Sequence, residues 1–232
     1  MKRGCTMPAA SSSRQPEPSL AWFDSAEGSA VLRDEMGLLM PLLVRCIGSR
    51  VCHILPTARA AATAQPTLMT KETRLWCDQH GWHDESRALP DGPPRSLQGM
   101  DLVIAAHVIA TLPDPAARVE TIYHLLAPGR TAFFVEFYPC SLYRRHWRNQ
   151  GFGSLSLRRM VALLQRADFA IDATYAMRPR SSQDSSGLLL RHNWRLPSWL
   201  PLRAYVIRAH RLEPGMTVAG APAEFFVQAP NA

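Results

Sequence analysis

Between residues 101 and 175 the hydrophobic period switches repeatedly, and this alternation limits the chain to few architectures. Residues 101–105 (DLVIA) form a continuous apolar run of strand length. Residues 113–126 place Val119, Ile122, Tyr123 and Leu126 on one helical face, with Pro128 and Gly129 as a stop signal. RTAFFVEF (130–137) reads as a strand, and residues 154–167 as a capped amphipathic helix carrying Leu157, Met160, Val161, Leu163 and Leu164. Residues 169–175 alternate as a strand, and RAYVIRAH (203–210) is the last one. Strand and helix in turn imply βαβ units, hence a parallel sheet with helices on both faces. No helix pattern separates the final two strands, so an antiparallel finish at the sheet edge is expected.

The upstream half is less regular. Ser25 can cap a helix with Glu27 in its first turn, and Val31, Leu32, Met36, Leu39, Leu42 and Leu43 give it one apolar stripe. Pro41 lies inside that pattern and is expected to kink or restart the helix. Trp22 and Phe23, just before the cap, suit an aromatic anchor onto the core. RVCHIL (50–55) reads as a buried strand stopped by Pro56, and residues 57–64 as about two helical turns before Pro66. Residues 67–77 fit one broken strand or two short ones, and 81–99 mostly loop. The expected organisation is a loose arm over 1–19, one domain over 20–212 and a tail over 213–232.

The chain has 232 residues, 47% hydrophobic and 19% charged, enough to build a core. No apolar stretch approaches the roughly 20 residues of a membrane span, and the basic start lacks the apolar segment of a secretion signal. A cytoplasmic location is therefore expected. Five scattered cysteines argue for reduced thiols, with Cys140 an ordinary one. Cys77, His80 and His83, flanked by Asp78 and Asp84, have metal-compatible chemistry, but no second pair of ligands accompanies them and no metal is assigned. The net charge of +7 is uneven: residues 1–115 hold 11 Lys/Arg and 12 Asp/Glu, residues 116–232 hold 15 and 7. A basic second half can meet nucleic acid, an acidic partner or an anionic membrane surface. YRRHWR (143–148) interleaves aromatics with cations, which suits phosphate and base stacking as well as an ordinary solvated loop.

In an open α/β sheet, ligands bind at the carboxyl ends of strands, where strand order reverses. Here those ends are Leu55-Pro56, Ala106-His107 and Phe137-Tyr138. His107 is the ionisable residue a strand end aims at that crevice, unless it only hydrogen-bonds a neighbouring loop. Glu136, in an apolar strand, needs a partner, an arginine being the simplest. Trp194 and Trp199 suit a lid or a cap on the sheet edge.

The stretch AHVIATLPDPAARVETIYHLLAPGRTAFFVEFYPCSLY (106–143) resembles the centre of class I S-adenosylmethionine-dependent methyltransferases, and more narrowly a small bacterial type-11-like group. ESRALP (85–90) and MDLV (100–103) resemble the approach to that group's fourth strand. The resemblance implies a Rossmann-like α/β sandwich, mostly parallel with an antiparallel last strand, using S-adenosylmethionine. It also implies Asp78 (or, less well, Glu72) at the ribose, Glu85 at the adenine, and His107 as base or cofactor floor, with Glu136 and Tyr138 as further lining. One departure stands out in VCHILPTAR (51–59): His53 falls at the family's acidic position, and Leu55, Thr57 and Arg59 at its glycine positions. Glycines there let backbone approach the cofactor closely, whereas Leu55 and Arg59 would fill that space. Two functions follow: a methyltransferase of unknown substrate, or a methyltransferase-like scaffold (a pseudoenzyme) that has lost the cofactor and binds a protein or nucleic-acid partner.

Overall fold

The computed structural model describes residues 20–64, 66–78, 80–85, 87–90, 92–139, 148–149, 151–178, 188–191 and 202–213. Its N-terminal element is a 3-10 turn, Leu20–Asp24, with Trp22 and Phe23 buried. Ser25 then caps α1 (Ala26–Leu43), its hydroxyl accepting from the Gly28 N–H at 3.1 Å. A Cβ on Gly28 would lie 2.2 Å from the Trp22 carbonyl oxygen, so this position needs glycine for the turn to fold back on α1. α1 runs through Pro41 without a restart and ends two residues later at Leu43, with Pro41 having no N–H to give the Gly37 carbonyl.

β1 (Arg50–Leu55) leads through the Thr57 cap into a single turn of helix, α2 (Ala58–Ala62). β2 (Lys71–Asp78) turns straight back as β3 (Gly81–Asp84), followed by β4 (Ala88–Leu89) and a 3-10 turn, Arg95–Leu97. Two short strands, six residues in all, thus interrupt a span (81–99) that is otherwise mostly the loop expected. They read poorly in sequence because they are only four and two residues long, too short for a period to show.

β5 (Met100–Ala106), α3 (Pro115–Leu125), β6 (Leu126–Phe137), α4 (Leu157–Arg166) and β7 (Phe169–Met177) fulfil the βαβαβ expectation. Two boundaries differ. Pro128 and Gly129 lie inside β6 rather than ending the helix, and Ser156, not Ser154, caps α4. β8 (Leu188–Arg191) and β9 (Ala204–Arg211) complete the sheet.

The nine strands among the described residues form one sheet in the order β4-β3-β2-β1-β5-β6-β9-β7-β8. β2, β1, β5 and β6 run parallel. The antiparallel β9 is not at the edge: it is wedged between β6 and β7, and β8 takes the edge. One face of the sheet packs against α3 and α4, and the other against α1, α2 and the N-terminal turn. No helix among the described residues is long and apolar enough to cross a membrane.

Candidate functional site at the switch point

Strand order reverses between β1 and β5, so their carboxyl ends define the crevice an α/β sheet offers a ligand. β1 ends at Leu55 and β5 runs into His107, both buried. Phe23 spans the gap. It lines a cavity with Leu55 on one side and stacks on the His107 ring at 5.4 Å on the other, and it has no solvent exposure. Phe137 stacks on His107 at 3.9 Å, while Trp22 and Phe152 close the cluster around Phe23. The remaining cavity is about 20 Å³, lined by Phe23, Leu55, Ser29, Arg33 and Thr63 among others, room for about one water.

His107 holds an uncommon left-handed backbone, φ 57°. That bend lets its N–H donate to the Val135 carbonyl at 2.9 Å while its own carbonyl accepts from the Thr111 hydroxyl. Its Nε2 lies 2.7 Å from Glu35 Oε2, and the other Glu35 oxygen meets Arg203 Nε at 3.2 Å. Arg203 also reaches Asp34 at 3.5 Å. This buried relay ties α1 to the ends of β5 and β9. Glu35 was not singled out from sequence, although position 35 lies within the inward stripe of Leu32, Met36 and Leu39, where a carboxylate must find a partner.

Glu136 is fully buried, but its partner is backbone rather than arginine. Its Oε1 accepts from the Ile109 and Ala110 N–H groups at 2.8 and 3.2 Å, and its Oε2 has no hydrogen-bond partner. Burial pushes its carboxyl up to about 7, against the opposing pull of His107 and the two amides. Tyr205 stands opposite it in the sheet and donates to the Leu155 carbonyl at 3.0 Å. Tyr138, also buried, donates its backbone N–H to the Arg203 carbonyl.

The other sequence-derived candidates do not converge on the crevice. His53 is buried within β1, both ring nitrogens lacking a hydrogen-bond partner, and burial lowers its pKa to about 4, so it is neutral. Thr57 serves α2 as its cap, accepting from Ala60 and donating to Asp24 at 2.6 Å, and Arg59 is exposed rather than filling the crevice. Glu72 accepts from Thr67 and pairs with Arg74 at 3.4 Å. Asp78 does end β2, yet its Oδ1 takes the His80 and Gly81 amides and His83 Nε2 at 3.1 Å. Burial alone would raise that carboxyl; these partners hold it below its usual value. Glu85 is exposed and set back from the crevice, because β3 runs antiparallel and descends three rungs from the Asp78–Gly81 pair before reaching it. Among the described residues no three His, Cys, Asp or Glu gather to hold a metal ion. Burial raises the Cys52 and Cys77 thiols to about 12 and 11, which keeps both unreactive. Cys140, residues 143–147, Trp194 and Trp199 lie outside the described residues.

No family model matches the sequence, and no curated protein does. Many solved structures share the fold. A SAM-dependent methyltransferase from Thermotoga maritima aligns over 83% of this chain and 97% of its own, at 14% identity and a TM-score of 0.53. A chain from the complex between the Haloferax volcanii Trm112 methyltransferase activator and a methyltransferase aligns over 84% and 99%, at 11% identity and 0.54. The fold is that of the class I S-adenosylmethionine-dependent methyltransferases.

Within that fold the residues present do not fit S-adenosylmethionine at the switch point. Phe23 is wholly buried between Leu55 and His107, the cavity beside it has room for about one water, and Asp78 Oδ1 already accepts the His80 and Gly81 amides.

Proposed function

We propose that this chain uses the methyltransferase fold as a binding scaffold, its cofactor crevice taken over by its own core. The observation that carries the reading is Phe23, buried across the gap between Leu55 and His107. One structure it resembles comes from a complex with a methyltransferase activator; a role held through partners is the corresponding proposal for this chain.

A second reading, a S-adenosylmethionine-dependent methyltransferase of unknown substrate, draws on the likeness over nearly the whole length of two methyltransferase-related chains. It also draws on the hydroxyls of Ser29 and Thr63 and on Arg33 around the small cavity. Under it, the N-terminal turn must leave before a cofactor enters.

Titration calorimetry of the full chain with S-adenosylmethionine and S-adenosylhomocysteine separates the two. The scaffold reading expects no heat up to millimolar ligand. Micromolar affinity, about −8 kcal/mol, overturns it in favour of the enzyme.

A further inference from the structure

From residue 137 to residue 167 the sequence holds six arginines and no aspartate or glutamate. α4 displays three of them. Leu157, Met160, Val161 and Leu164 are buried against the sheet and Leu163 is half-buried against the same core, which leaves Arg158, Arg159, Ala162, Gln165 and Arg166 outside. Among the described residues these arginines make no ion pair, and exposed Glu120 on neighbouring α3 is not joined to them. Arg148, just ahead of the helix, is exposed too.

Helix stability does not account for this placement. Arg158 and Arg159 occupy the first turn, where the helix dipole disfavours cations and where no acidic residue compensates. Sites that break a local rule without structural gain are where function is expected.

We propose that the outer face of α4 is a docking surface for the phosphate backbone of nucleic acid. Guanidinium forks match phosphate oxygens bidentately, which ammonium groups do not. Seven residues separate Arg159 from Arg166, about 10 Å along the axis, the rise of about three base pairs. A lipid surface fits less well, because no large apolar side chain on that face is free to enter a bilayer. The proposal does not depend on the crevice and stands whichever way the cofactor titration falls.

The test is fluorescence anisotropy of the full chain with a labelled 20-nucleotide RNA and a DNA duplex of equal length, at 50 and 200 mM salt. Binding that weakens steeply with salt is expected. In R158Q/R159Q/R166Q the affinity at 50 mM drops at least tenfold and the log–log salt slope shrinks by about two to three. R45Q/R95Q, two exposed arginines elsewhere, leaves both unchanged. Absence of binding at 50 mM, or binding that the triple variant does not weaken, overturns the proposal. Binding to phosphatidylserine vesicles with none to either oligonucleotide overturns it as well. Thermal melting of each variant confirms that a changed affinity is not a lost fold.

Discussion

Glu35 and Glu136 are both buried carboxylates at the head of the sheet, yet opposite arguments govern them. Glu35 is held between His107 and Arg203, so removing it strands a guanidinium in the core. Glu35→Ala is expected to lose about 3–5 kcal/mol in denaturant unfolding, with Glu35→Gln losing less. Glu136 has amide donors on one oxygen and nothing on the other, and its carboxyl is raised in the fold from 4.5 to about 7. A carboxyl raised by folding is protonated in the native chain when the unfolded chain has already ionised. The Glu136 contribution is therefore fullest below about pH 4.5, falls between there and about 7, and is flat above; His53, lowered to about 4, contributes in the opposite sense, so the difference between wild type and Glu136→Gln isolates it. The drop is about 3 kcal/mol, and Glu136→Gln is expected to remove that part of the pH profile. Unfolding midpoints measured from pH 4.5 to 8 check the sign. His107 was legible in sequence because a strand end aims it at the crevice; its partner was not, since Glu35 lies 72 residues away on another element.

At the level of elements, the N-terminal turn and α1 decide whether the crevice is open. Gly28→Ala drives a methyl group into the Trp22 carbonyl, so the turn must lift or α1 must shift. A loss of about 1–3 kcal/mol is expected, together with faster hydrogen exchange in residues 20–24. Phe23→Ala removes a wholly buried ring and is expected to lose about 3–5 kcal/mol; a loss under 1 kcal/mol would mean that the crevice collapses or floods at little cost. β1, β5, α3, β6, α4 and β7 were legible because each carries either a continuous apolar run or a regular apolar period. The β2–β3 hairpin was not: half-exposed Trp76 makes Leu75–Cys77 an unbroken apolar run, and β3 has only four residues with Trp82 alone buried. The same turn carries Glu85 back along the sheet, away from the Asp78 end of β2.

Across the whole molecule, a single sheet shared by two apolar layers predicts where exchange is slowest. Amides of β1, β5, β6 and β9, paired on both sides, are expected to outlast those of β4 and β8 at the edges. Hydrogen-exchange mass spectrometry resolves the two groups, and equal protection throughout would contradict the topology. The α/β class followed from the strand–helix alternation, and the narrower methyltransferase-like sandwich from the resemblance over residues 106–143. The position of the last strand did not, because nothing in RAYVIRAH distinguishes an edge from a slot between two neighbours.

That slot has a consequence for synthesis. Among the described strands β9 is the last to leave the ribosome, and β6 and β7 have no other link through them. Until residue 211 emerges, the nascent chain holds two incomplete sheets whose facing edges are bare. Each such edge can pair with a neighbouring chain. A polypeptide halted anywhere between residues 177 and 204 should therefore be the aggregation-prone species, and chaperone demand should fall abruptly once the final strand slides home.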